Sequence, residues 1–393
     1  MARIILVSGK GGVGKTTVAA ATALAAAKHG HRTLVFSLDL AHSLSDSFDL
    51  DHGLFDQNKG LPLTVADKLD IQEIDVQEEL ERHWGEVYRY TAMLFSSAGV
   101  SDMVAEEVAI LPGMDDIISL MHINQYLQEG TYDTIVVDCP PTSESLRFVS
   151  INATLDWYMR KRFKLDRNLL KVTRPIASRL TNMPLPDDDY FAAIQRLFAR
   201  LDGVEKVLVD PRVTTVRLVT NAEKMVIRET QRAYMYFCLY GITTDQVIVN
   251  RILPQQKGYF SRWAETQQGY AQEIDDFFQP VPTSRLPMFA QEVIGLERLG
   301  ELAQALYADT DPTRFNLDSP PYAFSKRRDV YELKLRLPFA GKDDVDVSRH
   351  GEDVVVRIGS FKRHIPLPRS VSRLETTGAS LNDDQLLITF KEA

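Results

Sequence analysis

The sequence predicts an α/β fold, namely a doubly wound, mostly parallel sheet with helical insertions, followed by a small all-β sandwich. Three observations carry this prediction. A glycine-rich loop lies between the apolar run Ile4–Val7 and an alanine-rich helical stretch. Short apolar runs then recur between helical stretches through most of the chain. From about residue 322 the apolar residues alternate with polar ones, which is the period of a strand with one buried face.

The later apolar runs are continuous, which indicates strands buried on both faces, as in a parallel sheet covered by helices. Gly30 follows the first helical stretch and suits the left-handed residue that ends a helix. Residues 1–308 are therefore predicted to form one doubly wound domain. The runs after the first are Leu34–Phe36, Ile135–Val137, Val216–Val219 and Val247–Val249.

The glycine-rich loop, from Gly9 to Thr17, has the pattern of a phosphate-binding P-loop. Glycines let backbone amides converge on phosphates without a Cβ in the way, and the following helix N-terminus adds partial positive charge. Lys15 can reach the β- and γ-phosphates, and the Thr16 hydroxyl can bind Mg²⁺. The predicted nucleotide-binding residues of the loop are Gly9, Gly11, Gly12, Val13, Gly14, Lys15, Thr16 and Thr17.

Lys10 adds a second lysine to this loop, in the position that marks the deviant Walker A sequence GKGGVGKT. In enzymes with that loop, this lysine reaches across a dimer interface to the nucleotide of the neighbour. Lys10 is therefore predicted to be a catalytic residue of a homodimer. The alternative is an ordinary solvated loop lysine.

Two aspartates follow predicted strands at the edge of the sheet that faces the phosphates. Asp39 could orient the attacking water, since positioning dominates phosphoryl transfer; the alternative is that it caps the next helix. Asp138 ends its strand in the manner of a Walker B residue and would hold Mg²⁺ directly or through water; the alternative is a buried or capping aspartate. Pro140–Thr142 would begin a loop that senses the γ-phosphate.

Two segments, about 70–130 and 151–200, are longer than crossover connections need and are rich in helix-forming residues. Six of the ten methionines lie in them. Because methionine is flexible and polarisable, these segments predict a groove for varied apolar helices; the alternative is that the methionines fill gaps in the core. The six are Met93, Met103, Met114, Met121, Met159 and Met183.

The C-terminal part of the chain has a different pattern. Residues 309–321 hold three prolines among polar residues and are predicted to be a linker. Within residues 322–393, apolar residues alternate in the stretches Tyr331–Leu337, Val354–Ile358 and Leu386–Phe390. This pattern predicts a small antiparallel β-sandwich. At roughly 70 residues, such a domain folds more safely when it is docked on another surface.

Composition limits the class of protein. The net charge of −9 over 393 residues argues against a nucleic-acid partner. The two cysteines, Cys139 and Cys238, lie far apart, which excludes a disulfide framework, suits a reducing compartment and predicts core residues. No apolar run has the length of a membrane span, and a strand beginning at residue 3 predicts no targeting segment before it. The expected location is cytoplasmic, or the chloroplast stroma if a transit peptide has been removed.

With these residues in place, residues 1–308 resemble the arsenite-pump (ArsA) ATPase family. Within it they are most similar to the GET-pathway ATPases, which chaperone tail-anchored membrane proteins. The resemblance implies ATP and Mg²⁺ as cofactors, with Asp39 activating water. The family's two switch motifs and its helical-insert motif have counterparts in Asp39–Phe48, Asp138–Val149 and Pro112–Ile118.

The resemblance also implies roles for residues far from the P-loop. Asn250 and Pro287 stand at the positions that hold adenine in the family. Glu223 and Glu229 align with glutamates that meet the signature lysine or the nucleotide of the partner. The resemblance therefore implies that Lys10 acts in the site of the neighbouring protomer.

The sequence departs from the family pattern at the zinc site and in the second switch, where Pro140 stands for alanine and Ser143–Ser145 for Gly-His-Thr, and it continues into a further domain. Phe260–Trp263 stands where the animal and fungal proteins have a zinc-binding CxxC, so no zinc-clamped dimer is expected. Residues 322–393 resemble an α-crystallin (small heat-shock protein) domain that lacks the swapped dimer strand between Ile358 and Phe361. This combination resembles the cyanobacterial and chloroplast branch of the GET ATPase family.

The expected function is that of a homodimeric chaperone or targeting factor that hydrolyses Mg-ATP. Closure around ATP would form an apolar groove for hydrophobic or amphipathic helices, with transient membrane contact. The alternatives are a passive nucleotide-binding holdase led by the β-sandwich, an arsenite-pump ATPase and a partition-type ATPase. Arsenite needs clustered thiolates and its pump usually two P-loops, whereas partition ATPases usually end in a basic amphipathic helix or bind DNA.

Overall fold

The computed structural model describes residues 2–38, 43–50, 60–74, 79, 114–142, 144–150, 188–255, 257–317, 319–328 and 330–392. The strands of the larger part are β1 (Arg3–Gly9), β2 (Thr33–Ser37), β3 (Leu63–Ala66), β4 (Leu69–Glu73), β5 (Thr134–Asp138), β6 (Thr214–Asn221), β7 (Thr243–Ile252) and β8 (Thr283–Pro287). They form one sheet in the order β3-β4-β2-β5-β1-β6-β7-β8.

Strand β1 lies at the centre of this sheet, parallel to β5 on one side and to β6 on the other. Val7 pairs with Asp138 and Gly9 pairs with Val219, so these three strands end at a common edge. β7 and β8 continue the parallel array, while β3 runs antiparallel to β4. The predicted doubly wound, mostly parallel sheet is confirmed.

The described helices are α1 (Lys15–Lys28), α2 (Ser43–Ser47), α3 (Met114–Glu129), α4 (Asp188–Leu201), α5 (Val204–Val209), α6 (Lys224–Tyr240), α7 (Ser261–Phe277) and α8 (Gly295–Tyr307). They cover both faces of the sheet. Ile4 and Leu6 lie in one core cluster with residues of α3, α6 and α7, whereas Ile5 and Val7 lie in a second cluster with α1 and α8. The central strand is therefore apolar on both faces, which is why its sequence does not alternate.

Three strands of the sheet, β3, β4 and β8, have no clear signal in the sequence. β3 and β8 are the edge strands of the sheet, where fewer apolar contacts are needed, and β4 lies next to β3 with two buried apolar residues, Leu69 and Ile71. In β8 only Leu286 is fully buried, and its neighbours are polar or proline. Edge strands of this kind are held by the ladder of backbone hydrogen bonds rather than by a continuous apolar run.

The structure describes only part of the two predicted insertions, mainly α3 and α4. Met114 begins α3, and Met121 on the same helix is buried in the first core cluster, as the gap-filling alternative predicts. Met93, Met103, Met159 and Met183 lie outside the described residues, as does Asp39. The predicted groove therefore stays a prediction.

The C-terminal part is the predicted all-β sandwich. Its strands are β9 (Tyr322–Arg327), β10 (Val330–Arg336), β11 (Val345–His350), β12 (Asp353–Ile358), β13 (Phe361–Pro366), β14 (Glu375–Asn382) and β15 (Gln385–Lys391). One sheet has the order β14-β15-β10-β9 and the other β11-β12-β13. Alternate residues of β10, β12 and β15 fill the core between the sheets. β12 and β13 are joined by a two-residue turn, because Ile358 pairs directly with Phe361.

The sandwich is docked on helix α6 of the larger part. Met235 and Leu239 of α6 belong to the apolar core of the sandwich. The ring centroids of Tyr236 and Phe361 lie 4.1 Å apart. The buried guanidinium of Arg363 donates to the carbonyl oxygen of Leu239. This contact gives the small sandwich the docking surface that its size requires.

A buried charged cluster connects strands β1, β6 and β7 to the segment after α8. Arg3 and Arg217 contact the two carboxylate oxygens of Asp245, at 3.0 and 3.4 Å. The same guanidinium groups donate to the carbonyl oxygens of Thr313 and Pro312. The start of the predicted linker is thus hydrogen-bonded to strands β1 and β6.

Candidate nucleotide-binding site

The P-loop connects the end of β1 to the start of α1 at the centre of the sheet. Gly12 and Gly14 have φ angles of +80° and +95°, which L side chains rarely adopt. A Cβ on Gly14 would overlap Nδ2 of Asn250, and one on Gly9 would overlap the carbonyl oxygen of Val219. The close approach of β6 therefore requires glycine at position 9, and that of β7 requires glycine at position 14.

Lys15 and Thr16 begin helix α1 directly after the loop. The Lys15 side chain is buried, and its ammonium donates to the carbonyl oxygen of Lys10 at 3.3 Å. A cation held over the loop in this way can transfer its hydrogen bonds to an incoming phosphate. The hydroxyl of Thr16 lies 3.3 Å from the hydroxyl of Ser43, which begins α2.

Asp138 ends β5 beside the P-loop and is completely buried. Its carboxylate and the hydroxyl of Thr16 are hard oxygen ligands, which is the donor type that Mg²⁺ prefers. Burial is the main reason why the pKa of the neighbouring Cys139 thiol is raised, and the charge of Asp138 raises it further. The residues present fit a magnesium ion held next to the triphosphate.

Lys10 and the two predicted glutamates lie on the exposed rim of the site. The Lys10 ammonium is 3.9 Å from the Glu229 carboxylate of the same chain, and both side chains are part-exposed. Glu223 is exposed at the N-cap of α6 and its side chain makes no capping hydrogen bond. The rim therefore brings Lys10 and Glu229 together and leaves Glu223 facing outwards.

Asn250 lies behind the P-loop at the end of β7. Its side-chain Nδ2 donates to the carbonyl oxygen of Val13 at 2.9 Å. Its backbone carbonyl oxygen accepts a hydrogen bond from Nδ2 of Asn221 at 2.9 Å. The next residue, Arg251, donates from Nη1 to the carbonyl oxygen of Gly12 at 2.8 Å. Pro287 is exposed at the end of β8, paired in register with Ile252.

Several contacts around the site connect it to the segment after β5. The hydroxyl of Ser8 donates to Ser145 at 3.0 Å, and Ser145 donates to the carbonyl oxygen of Pro140 at 2.6 Å. The buried Thr142 hydroxyl has no hydrogen-bond partner among the described residues. The contact between Ser8 and Ser145 has no local sequence signal, since the two residues are 137 positions apart.

Arg147 joins this segment to helix α3. Its Nε donates to Asp116 at 2.7 Å and its Nη2 donates to Asp115 at 3.0 Å. Burial raises the pKa of the Asp116 carboxyl to about 6, although the hydrogen bond from Arg147 opposes the shift. The segment that follows the predicted Walker B aspartate is therefore ionically linked to the helix that begins at Met114.

The raised pKa of Asp116 predicts a pH-dependent contribution to stability. The pKa of an unfolded aspartate is about 3.9, so between that pH and about 6 the folded protein binds more protons than the unfolded one. The contribution of protonated Asp116 to the free energy of unfolding is complete below the pKa of the unfolded state. It is lost as the pH rises through the pKa of the folded state. The thermal midpoint of Asp116→Asn minus that of the wild type is therefore expected to increase from pH 4.5 to 7. A difference that stays constant over this range would contradict the shift.

The strand, the glycine loop and the following helix, with Lys15, Thr16 and Asp138 around them, define a P-loop nucleoside triphosphatase. Residues 2–308 match the family described as the anion-transporting ATPase family, ArsA ATPase. Residues 328–390 match the HSP20-like domain found in ArsA proteins. The chain belongs to the ArsA ATPase family and is an ATPase with a C-terminal HSP20-like domain.

Relatives of similar length support this assignment. A protein of Aquifex aeolicus named as an arsenical pump-driving ATPase is 44% identical and covers 98% of this chain and 99% of its own length. A protein of Chlorobaculum tepidum with a similar name is 40% identical over 99% and 96% of the two chains. ATPase GET3 of Komagataella phaffii is 28% identical over 77% of this chain and 89% of its own. The resemblance to the ArsA and GET-type ATPases is confirmed.

Among the residues that the structure describes, no helix is both long and apolar enough to cross a bilayer.

Proposed function

We propose that this ATPase works as a homodimeric chaperone or targeting factor for hydrophobic or amphipathic helices, such as those of tail-anchored membrane proteins. Residues 1–308 form the ATPase unit, 309–321 the linker and 322–393 the sandwich. The insertions at about 70–130 and 151–200 form the apolar groove. ATP-driven closure of two protomers assembles this groove, hydrolysis reopens it, and release involves transient contact with a membrane.

The observation that carries the proposal is the ionic link from Arg147 to Asp115 and Asp116. It connects the segment that follows Asp138, at the nucleotide, to helix α3, which belongs to the first insertion. A change in the nucleotide would move the segment after Asp138. Because the Asp116 end of the link is buried, that movement would carry α3 with it.

The surface around the P-loop supports a second copy as the partner. β6, β7 and β8 end at the same edge as the P-loop, and the segments that follow them expose large apolar side chains. An exposed apolar set around a charged site is typical of a protein interface. The residues are Met225, Tyr259, Phe260, Trp263 and Met288, which are 71%, 94%, 51%, 44% and 52% exposed.

The proposed roles follow from the placement of each residue. The loop amides and Lys15 bind the phosphates, and Mg²⁺, held by Thr16 and Asp138, would neutralise developing charge. Asp39 would activate the attacking water. Lys10 would leave Glu229 and reach the nucleotide of the partner.

Residues at the exposed rim of the site and at the ends of β7 and β8 also have proposed roles. Asn250 and Pro287 would hold the adenine ring. Glu223 and Glu229 would face the signature lysine or the nucleotide of the partner across the interface.

Capture of a hydrophobic helix in defined nucleotide states tests the proposed function. The full chain is incubated with a fluorescent peptide of about 20 leucine and alanine residues, the length of a membrane span. Capture is expected with a non-hydrolysable ATP analogue and is expected to fall with ADP; Lys15→Met is the control. Equal capture in all states would indicate the passive holdase, and no capture would contradict the proposal.

Replacing Lys10 by alanine tests its catalytic role. ATP binding should stay measurable, because Lys15 and the loop amides are retained. Hydrolysis should fall about a hundredfold, the effect of removing one group that stabilises transition-state charge. Lys362→Ala, at an exposed lysine of β13 in the sandwich, is the matched control for loss of surface charge. Near-wild-type turnover of Lys10→Ala would remove this lysine from the mechanism.

An arsenical pump ATPase is the second candidate, because two of the relatives carry that name. Trivalent arsenic binds clustered thiolates. The two cysteines of this chain are buried, and burial raises the pKa of both thiols, that of Cys238 to about 12. Arsenite is therefore expected to leave the ATPase rate unchanged. Stimulation at low arsenite concentration would favour the pump.

A further inference from the structure

We propose that Arg251, together with Asn250, is a positioning residue that holds the P-loop in its phosphate-binding conformation. The starting point is a bulge in β7. Val249 pairs with Arg285 of β8, whereas Ile252 pairs with Pro287, so β7 has one more residue than its partner between these pairs. Arg251 sits in the bulge with φ of +60°, a left-handed conformation that an arginine rarely adopts.

The bulge changes where two consecutive side chains reach. In a regular strand, successive side chains point to opposite faces of the sheet. Here Asn250 Nδ2 donates to the carbonyl oxygen of Val13 at 2.9 Å, and Arg251 Nη1 donates to that of Gly12 at 2.8 Å. Two adjacent residues of β7 therefore hold two adjacent carbonyls of the same loop.

The geometry of the peptide unit shows what this contact does to the loop. In a trans peptide the C=O and the N–H lie in one plane and point in opposite directions. When the carbonyls of Gly12 and Val13 are held towards β7, the amides of Val13 and Gly14 must point away from it. Amides that converge in this way form the cradle that binds phosphate oxygens.

Asn250 is itself fixed, which makes it a firm support. Its side-chain Oδ1 accepts from the backbone amide of Arg251, and its backbone carbonyl oxygen accepts from the side chain of Asn221 at the end of β6. The backbone of Arg251 is in a left-handed conformation that glycine would adopt without strain, so a glycine at this position can test the guanidinium separately from the backbone.

The inference rests on ATP binding by this loop and does not depend on the helix client. Arg251→Gly removes the guanidinium and relieves the left-handed strain. It is expected to raise KM for ATP about fivefold to tenfold, the effect of losing one charge-assisted hydrogen bond that is weakened by its exposure to solvent. Because the loop holds phosphate equally in the ground and transition states, kcat should change less than about twofold. The thermal midpoint should stay the same or rise.

Two further variants complete the experiment. Arg328→Gly makes the same substitution at an exposed arginine with φ of +53°, in the sandwich and away from the P-loop, and should leave KM unchanged. Arg251→Lys keeps a donor at this position and should restore part of the affinity for ATP. Steady-state kinetics and thermal unfolding of the full chain measure these effects.

Binding of inorganic triphosphate separates a loop effect from contact with the base. If Arg251 positions the loop, Arg251→Gly weakens the affinity for inorganic triphosphate and for ATP by the same factor. A loss for ATP alone would show that Arg251 contacts the adenosine instead, which would overturn the proposal. An unchanged KM, or a parallel fall in kcat and thermal midpoint, would overturn it as well.

Discussion

Gly14→Ala is expected to abolish detectable ATP binding and to lower the ATPase rate more than about a hundredfold, because displacement of catalytic groups by about 1 Å already has an effect of that size. Gly14 has φ of +95°, and a Cβ at this position would overlap Nδ2 of Asn250. Asn250 cannot retreat easily, since it is bonded to Asn221 and Arg251. The loop must therefore move, and the amides that bind phosphate move with it.

Gly130→Ala is the matched control for this prediction. Gly130 also has a left-handed φ, +65°, but a Cβ there meets no atom within 4 Å, and it lies at the end of α3. This variant should lose a little stability and keep its ATPase rate. Binding measured by isothermal titration calorimetry distinguishes the two variants. ATP affinity of Gly14→Ala close to that of the wild type would contradict the close approach of β7.

Asp245→Asn is expected to have the largest effect on stability. Asp245 is completely buried and contacts both Arg3 and Arg217. Burial lowers the pKa of Arg3 to about 10, so this arginine stays protonated at neutral pH. Asparagine at position 245 would leave two buried guanidinium groups without a countercharge. Breaking a buried ion pair in this way costs about 3–5 kcal/mol of unfolding free energy.

Thermal or urea unfolding of the full chain measures this loss. Asp210→Asn is the matched control, because Asp210 pairs with Arg212 at the surface at a similar distance of 3.0 Å. Surface pairs contribute little, so the control should unfold close to the wild type. The segment around Thr313, which also bonds to Arg3, should become sensitive to proteases in Asp245→Asn. Equal midpoints for the two variants would contradict the role of the buried cluster.

Sequence patterns predict much of this fold because the central strands and the glycine loop are local signals. β1 is apolar at consecutive positions since both of its faces are covered, and β10 alternates since only one of its faces is. The P-loop pattern also identifies Lys15 and Thr16 without reference to any other element. Family and fold could therefore be predicted from short stretches of sequence.

Features that depend on distant contacts had no such signal. Arg251 follows an ordinary strand pattern, and only the bulge and the contact with Gly12 reveal its position behind the P-loop. Arg3 and Asp245 are 242 positions apart, so their pairing is invisible in the sequence. The packing of Leu239 in the sandwich core is also a long-range contact. The sequence of α6 predicts only an ordinary amphipathic helix and does not indicate what its apolar residues contact.

The most direct test of the proposed mechanism mixes two inactive variants, Lys10→Ala and Lys15→Met. If Lys10 acts in the site of its partner, a mixed dimer regains one working site, which contains the intact P-loop of the first variant and the Lys10 of the second. Half of the dimers are mixed and half of their sites work, so the ATPase rate should recover to about a quarter of the wild-type value, as two-fold symmetry requires. A mixture that stays inactive, at concentrations where the wild type has twice the 44.4 kDa mass of one chain, would contradict catalysis across the dimer.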